Sequence, residues 1–573
     1  MKLRIALAQI NCTVGDLNGN RDKIFARLDE ARRAGAELVV LPELAITGYP
    51  PEDLLLKPDF LNAAARSLND LLPATKGLTA IVGCIHAADD LYNAAAVLHD
   101  GKLLGYQYKQ YLPNYGVFDE NRYFGRGQQK QVFQRNGTVF GVSVCEDIWY
   151  PGGPAEGQVG FGGAELLINL SASPYHLRKG AVRERMISAR ASDNSAFIVY
   201  CNLVGGQDEL IFDGQSLICG PQGELIARGQ QFAEDLVVAD LDFSRVFRAR
   251  LSDPRRRKHY TTTGADYSRV ALPELPITTQ ATIIPTLSTP LDRLPEIYQA
   301  LVLGTRDYVL KNGFKKVVLG LSGGIDSALT AIIAADALGA ANVTGVAMPT
   351  RYSSFHSLED AELLAKNSGV QFLKFSIDNT FQEFLDMLQP AFNGHAPDLA
   401  EENIQPRIRG TLLMALSNKF GWMVLTTGNK SEGSVGYSTL YGDTAGGFAA
   451  IKDVPKLLVY ELSRYRNQCA GSDLIPLRTL EKPPSAELRP DQKDSDSLPE
   501  YEVLDPILYD YVEENRSIID IVGKGFNPRV VTRVTRLVDR NEYKRRQSPP
   551  GVKITARAFG KDWRLPITNR YQG

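Results

Sequence analysis

The stretch KKVVLGLSGGIDSALTAIIAADAL, residues 315–338, passes from a short apolar strand through a glycine-rich turn into a helix without a break. Val317, Val318 and Leu319 have the character of a buried strand, and the alanine-rich run after Ser327 that of a helix. Between them, Gly323 and Gly324 let backbone N–H groups approach an anion. Ser322, Ser327 and the helix N-terminus add hydroxyl donors and partial positive charge. The turn, Gly320, Leu321, Ser322, Gly323, Gly324, Ile325, Asp326 and Ser327, is therefore expected to cradle phosphate. No Gly-Lys pair in the chain is followed by Ser or Thr, so no loop lysine of the G-x-x-x-x-G-K-[ST] kind is available. Asp326 would repel bare phosphate but can hold a Mg²⁺ that bridges phosphates. Downstream, VTGVAMPT (343–350), VQFLKFSID (370–378) and WMVLTTGN (422–429) add strands with helical spans between them. This pattern predicts a doubly wound parallel sheet with its ligands at the carboxyl edge.

The first 245 residues have a different texture. Apolar runs such as LRIALAQI (3–10), AELVVLPE (36–43), TVFGVSVCED (138–147) and AFIVYCNLV (196–204) alternate with amphipathic stretches such as NRDKIFARLDEARRAGA (20–36). That alternation predicts α/β layering with buried strands. Three polar residues stand where strands end: Glu43, Lys109 in GYQYKQYLPNYGVFDE (105–120), and Cys145. Brought together, they make an acyl-transfer site. A thiolate attacks an amide carbonyl, a carboxylate takes the thiol proton and returns it to leaving ammonia, and an ammonium steadies the developing charge. No histidine is needed, and His86, His99, His176 and His259 lie in no catalytic pattern.

Composition narrows the function classes. With 573 residues the chain calls for more than one core, and 64 basic against 66 acidic side chains give a net charge of −2. Neither a nucleic-acid nor a membrane partner is indicated. The start, MKLRIALAQINCTVGD, lacks the features of a signal peptide, so a cytoplasmic protein is expected. The six cysteines, Cys12, Cys84, Cys145, Cys201, Cys219 and Cys469, are widely spaced and suggest neither a zinc knuckle nor a disulfide framework. Residues 246–290, rich in Pro, Thr and charge, read as a connector between a domain at 1–245 and one at 291–573. The RRRK run at 255–258 is read there as a solvated linker face rather than a phosphate patch.

Two resemblances sharpen these expectations. LPELAITGYP (41–50), YKQYLPNYGVFDE (108–120) and VSVCEDIW (142–149) resemble, in order, the three motifs of the nitrilase (carbon-nitrogen hydrolase) superfamily. That resemblance implies a four-layer αββα sandwich, Glu43 as general base, Lys109 as electrostatic stabiliser and Cys145 as nucleophile. It also implies Tyr115, Ser173 and Lys179 as contacts of an amide substrate, here glutamine. SGGIDS (322–327) resembles the pyrophosphate loop of the N-type ATP pyrophosphatases. ENIQPRIRG, TTGNKSE, YSTLYGD, DVPKLLVYEL, KPPSAEL and NEYKRRQ occur in the order seen in NAD synthetases.

The second resemblance implies Asp326 and Glu432 as Mg²⁺ ligands, and Thr427, Lys456 and Ser485 as ATP contacts. It places Asn403, Arg407, Glu432 and Lys544 near deamido-NAD. Around GDTAGGFAAI (442–451) the pattern departs from that of ammonia-dependent relatives, and no contact is assigned there. Most of the basic tail, Arg533, Arg536, Arg540, Arg545 and Arg546, is expected to form an exposed helix face. Together the halves resemble glutamine-dependent NAD synthetases, which implies glutamine, ATP and deamido-NAD as substrates, Mg²⁺, no tightly bound organic cofactor, and a homo-oligomer. Ammonia is mostly protonated near neutral pH, so a protected route between the two sites is expected.

Other readings stay open at this level. A different amidotransferase is disfavoured. A GMP synthetase would carry a Cys-His-Glu glutaminase, and an asparagine synthetase a cysteine where this chain has Lys2. An amidase with a nucleotide-sensing module and a non-catalytic scaffold are disfavoured by the intact loop and by both sets of reactive residues.

Overall fold

A computed structural model describes residues 2–254, 266–276 and 281–571, so the RRRK run and His259 lie outside the described residues. The chain divides into two compact units, Met1–Gln207 with Ile211–Leu291, and Asp208–Leu210 with Asp292–Gly573.

The first unit is the expected sandwich. Its strands are β1 (Lys2–Gln9), β2 (Leu38–Val40), β3 (Thr79–Ala87), β4 (Leu91–His99), β5 (Lys102–Tyr108), β6 (Gln131–Arg135), β7 (Thr138–Val144), β8 (Leu166–Ser171) and β9 (Phe197–Asn202). They are followed by β10 (Val204–Gln207), β11 (Leu210–Asp213), β12 (Leu217–Cys219), β13 (Leu225–Arg228), β14 (Asp235–Asp242) and β15 (Ser268–Ala271). One sheet runs β14-β1-β2-β3-β4-β5, the other β13-β12-β9-β8-β7-β6-β15. Alternation decides what faces what: Leu3, Ile5 and Leu7 of β1 point into the shared core, where they meet Val142 and Val144 of β7 and Ile168 and Leu170 of β8. Each such side chain contributes about 1.5–3 kcal/mol by leaving water. Helices Leu17–Arg33 and Pro58–Asp70 cover the first sheet, and Pro154–Gly160 and Lys179–Asn194 the second. Part of the stretch read as a connector is built into this unit, since β15 pairs in parallel with β6 at Ser268↔Gln131 through Ala271↔Gln134. Five cysteines are buried, and Cys469, in the second unit, is exposed.

The second unit centres on a parallel sheet of β16 (Val317–Gly320), β17 (Val343–Ala347), β18 (Gln371–Lys374), β19 (Met423–Thr426) and β20 (Phe448–Ala449), in the order β18-β17-β16-β19-β20. The chain winds outward from β16 to one side and then returns to the other. The order reverses between β16 and β19, the switch point where such sheets bind ligands. Helices Ile325–Leu338 and Lys456–Ala470 pack together on one face, and Leu399–Phe420 on the other. A helical subdomain closes around Leu504, Val531, Val534 and Trp563. No described helix is long and apolar enough to cross a membrane.

Candidate active sites

At one end of the sandwich the strands deliver their following residues to a single point. Cys145 comes directly after β7 with φ 43°, left-handed for a non-glycine residue, at the start of a tight turn spanning Cys145–Ile148. Asp147 holds that turn: its carboxylate accepts from the backbone N–H of Val144 (3.0 Å), Gln110 (2.9 Å) and Tyr111 (2.8 Å). The strain at Cys145 is thus fixed by hydrogen bonds on either side of it. Burial pushes Asp147 up to about 6 against those donors.

Glu43 and Lys109 arrive from the ends of β2 and β5. Lys109 Nζ donates to Glu43 Oε1 and to Glu120 Oε1, both at 2.7 Å, and all three groups are buried. Glu43 also accepts from Asn93 Nδ2 (2.7 Å) and from the Ala172 N–H (2.9 Å). Burial pulls the Lys109 pKa down, but Glu120 and Glu43 outweigh it and keep the ammonium charged. Burial, opposed by Lys109 and aided by Glu43, pushes Glu120 up to about 7. Burial, together with Glu43, holds the Cys145 sulfur well above the ordinary thiol range, so the resting sulfur is protonated. Such a thiol needs a base at the moment of attack, and the carboxylate that acts on it most strongly, Glu43, is part of the same cluster.

Tyr115 is exposed and donates to Glu146 Oε1 at 2.9 Å, one residue beyond Cys145. Ser173 is buried, its N–H bonded to Asn202 Oδ1 at 3.0 Å. Lys179 lies 4.4 Å from the Trp149 ring centre; burial lowers its pKa, as does Arg183, while Cys145 and Glu146 act in the opposite direction. Glu120, Asn93 and Asp147 were not singled out in the sequence. Glu120 closes the very loop that carries Lys109, but nothing in that loop's composition says that its two ends meet.

In the second unit a cavity of about 610 Å³ opens at the carboxyl edge of the sheet. Its lining includes Gly320, Leu321, Ser322, Gly324, Ile325, Asp326, Ser327, Asn403, Thr427, Glu432, Lys456, Ser485 and Lys544, so most of the residues expected from sequence come together here. The loop is tied by Ser322 and Ser327, whose hydroxyls lie 3.2 Å apart, and by the Gly324 N–H donating to Ser322 Oγ at 3.2 Å. Gly323 has φ +77°, and a Cβ there would sit 2.1 Å from the Ser357 carbonyl oxygen, so a side chain is excluded on both counts.

Lys456 Nζ stands between two carboxylates, 2.5 Å from Asp326 Oδ2 and 3.2 Å from Glu432 Oε1, while Asn429 Nδ2 donates to Asp326 Oδ1 at 2.9 Å. Burial pushes Glu432 up to about 8, with Lys456 opposing and Asp326 adding. Two carboxylates that already gather one cation form a donor set suited to Mg²⁺, which takes one or two carboxylates and fills its shell with water and phosphate oxygens.

Ser485 Oγ donates to the Gln492 carbonyl at 2.5 Å, Asn403 accepts from Thr439 Oγ1 at 2.7 Å, and Lys544 donates to the carbonyls of Gly436 and Ser438. Arg407 is exposed, is not among the residues that line the cavity, and donates to the Leu440 carbonyl at 3.2 Å. Arg533, Arg536, Arg540 and Arg546 are exposed as expected. Arg545 differs: it is buried against Glu542 at 2.9 Å, with its guanidinium bonded to the carbonyls of Ser434 and Val538.

Comparison with known proteins meets this geometry. The carbon-nitrogen hydrolase family matches residues 4–250 and the NAD synthase family residues 297–548. The glutamine-dependent NAD(+) synthetase of Thermotoga maritima is 48% identical over 574 residues, covering 100% of this chain and 99% of that protein. That of Aquifex aeolicus is 48% identical over 99% of this chain and 100% of its own. Among solved structures, the glutamine-dependent NAD+ synthetase of Acinetobacter baumannii in complex with ADP superposes with a TM-score of 0.75 at 42% identity, covering 99% of both chains. That of Cytophaga hutchinsonii does so at 0.80 and 25%, covering 99% and 98%. With both halves matched in order and relatives this similar from end to end, the chain belongs to the family of glutamine-dependent NAD(+) synthetases.

Proposed function

We propose that this protein makes NAD from deamido-NAD, ATP and glutamine, with the first unit releasing ammonia and the second consuming it. The observation that carries the reading is the pairing, in one chain, of a strained buried cysteine beside a Glu43–Lys109–Glu120 cluster with a glycine-rich loop at the switch point of a parallel sheet.

In the first unit, Glu43 takes the Cys145 proton as sulfur attacks the glutamine carboxamide, and hands it to the leaving ammonia. Lys109, held between two carboxylates, stays charged and steadies Glu43 and the developing oxyanion. Water then releases glutamate from the thioester, with Glu43 again as base. Tyr115, Ser173 and Lys179 hold the amino-acid end of glutamine, Lys179 offering a cation to its carboxylate.

In the second unit, the Gly320–Ser327 loop, Thr427, Lys456 and Ser485 hold ATP, and Asn403, Glu432 and Lys544 hold deamido-NAD, while Arg407 would have to reach the dinucleotide from outside the cavity lining. The nicotinate carboxylate attacks the α-phosphorus, pyrophosphate leaves, and ammonia displaces AMP from the resulting acyl adenylate. Mg²⁺, when held by Asp326 and Glu432, supplies charge neutralisation at the phosphates. Support comes from the relative solved with ADP. The reading also carries domains at 1–245 and 291–573, with the stretch between them partly built into the first unit, a cytoplasmic homo-oligomer, and small-molecule partners alone. The deciding assay is NAD formation from deamido-NAD, ATP and Mg²⁺ with glutamine or ammonium as nitrogen source. Activity with both supports the reading, and failure with ammonium in a folded protein overturns it.

A further inference from the structure

Five cationic side chains line the second-unit cavity: Arg409, Lys456, Lys482, Arg489 and Lys544. Four are paired with carboxylates or carbonyls of the protein. Lys456 has Asp326 and Glu432, Lys482 has Glu487 at 2.5 Å, Arg489 has Asp496 at 3.3 Å, and Lys544 gives two of its three N–H groups to carbonyls. Arg409 differs. Of its five N–H groups it places one, from Nε to the Met348 carbonyl at 3.1 Å, and it makes no ion pair among the described residues. Its terminal nitrogens are not among the sealed, unpartnered polar atoms of the protein interior, and the residue itself lines the cavity.

The position is informative. Arg409 sits on helix Leu399–Phe420, whose cavity-facing stripe includes Asn403, Pro406, Arg409 and Leu413 at helical spacing. Leu413, one turn on, and Met348 are the side chains that a Cβ on Gly320 would meet, at 3.8 and 3.5 Å. The guanidinium thus stands beside the entry to the phosphate loop on the β17 side of the switch point, whereas Asn429 and Glu432 follow β19 on the other. A partly dehydrated cation without a counter-charge is costly to maintain. Burial lowers the Arg409 pKa to about 10, with Glu487 alone opposing, and Glu487 is already taken by Lys482 and Ser357. A planar fork of free N–H groups matches two oxygens of a phosphate.

We propose that Arg409 is a phosphate-binding residue of this cavity, closing on phosphate oxygens of a nucleotide substrate with the edge of its guanidinium left free by Met348. This rests on the reading above, that nucleotides enter the cavity. ATP and deamido-NAD both carry a pyrophosphate, and the experiment separates them.

Full-length protein and its Arg409→Met and Arg409→Lys variants are titrated calorimetrically with ADP, adenosine and deamido-NAD at fixed ionic strength, with thermal melts to establish folding. The expected result is a loss of about ten- to hundredfold in affinity for one phosphorylated ligand in Arg409→Met. Adenosine binding stays unchanged, and Arg409→Lys recovers part of the loss. A loss confined to ADP assigns the contact to ATP; one confined to deamido-NAD assigns it to the dinucleotide. Unaltered binding of both phosphorylated ligands by Arg409→Met overturns the proposal, as does an equal loss for ADP and adenosine. Should Arg409→Met not melt cooperatively, Arg409→Gln replaces it under the same criteria. If the parent protein binds neither phosphorylated ligand, the functional reading itself falls, and this inference with it.

Discussion

In the first unit the Glu43 carboxylate has three donors within 2.9 Å and no exposure to solvent; in the second, Asp326 and Glu432 share the Lys456 ammonium beside a cavity of about 610 Å³. The contrast follows from what each site must accommodate. Glutamine presents one neutral amide to the reacting atoms, so almost every charge at the first site can be matched by protein in advance, and the geometry is set by packing and hydrogen bonds. Two nucleotides bring several negative charges with them. A site for them has to hold cations in reserve, balanced by carboxylates or left unbalanced, as at Arg409. A preorganised site is brittle to single substitutions at its centre, while an open one spreads its binding over many contacts.

The strongest test of this contrast is Cys145→Ala. Glutamine-dependent NAD synthesis should fall by about 10⁴-fold or more, to background, since the sulfur that attacks glutamine is gone. Ammonium-dependent synthesis should stay within about twofold of the parent and rise with pH as free ammonia grows. Loss of both activities in a folded protein would mean that the two regions do not work as separable catalysts. Glu43→Gln comes next: it keeps the shape but cannot accept a proton, and glutamine hydrolysis measured by glutamate release should drop about 10²- to 10⁴-fold. Normal turnover would remove Glu43 from the mechanism.

Asp326→Asn attacks the other side. Synthesis with either nitrogen source should fall about a hundredfold while glutamate release from glutamine persists. A normal rate of NAD formation would show that the carboxylate pair is not where the phosphates are neutralised.

The smallest effect concerns pH. Glu120, pushed up to about 7, loses its charge as pH falls through that value, which leaves the Lys109 ammonium to Glu43 alone and makes Glu43 a weaker base. The kcat/KM for glutamine should therefore decline by up to about tenfold on the acid side, with a midpoint near 7, and Glu120→Gln should abolish that limb. An unchanged limb in the variant would assign it to another group, of which Asp147, at about 6, is the nearest alternative.

What could be read in the sequence depended on whether a residue's partner was local. Gly323 and Asp326 were legible because strand, turn and helix are contiguous, so the loop's geometry is set within a dozen residues. Cys145 and Glu43 were legible as strand-end residues within recognisable motifs. Glu120 was not, because a carboxylate in a loop of Tyr, Asn and Gly looks solvated until the loop folds back 11 positions and closes on Lys109. Residues 268–271 read as connector in the sequence because the stretch around them is rich in Pro, Thr and charge; the short SRVA strand, mostly exposed, exists by virtue of the β6 edge it joins, a non-local partner. Arg409 escaped for a reason of phase. Arg407, four residues after Asn403, is a natural choice by motif, yet the helix turns Pro406 and Arg409 to the cavity and leaves Arg407 exposed.

The distribution of sulfur in the two units has a practical consequence for anyone labelling this enzyme. Cys145 is 4% exposed, Cys12, Cys84, Cys201 and Cys219 are likewise buried, and Cys469 is the one thiol open to solvent. An alkylating reagent added to the native protein meets Cys469 first. That residue ends near the far end of the helix that begins at Lys456, about 20 Å along its axis. Inactivation by a thiol reagent is therefore ambiguous in the parent chain, since an adduct on that helix can disturb the ATP side without touching the glutamine side. A Cys469→Ser background turns the same reagent into a selective probe, because the remaining reactive sulfur is then the one that a glutamine analogue must carry its warhead inward to reach.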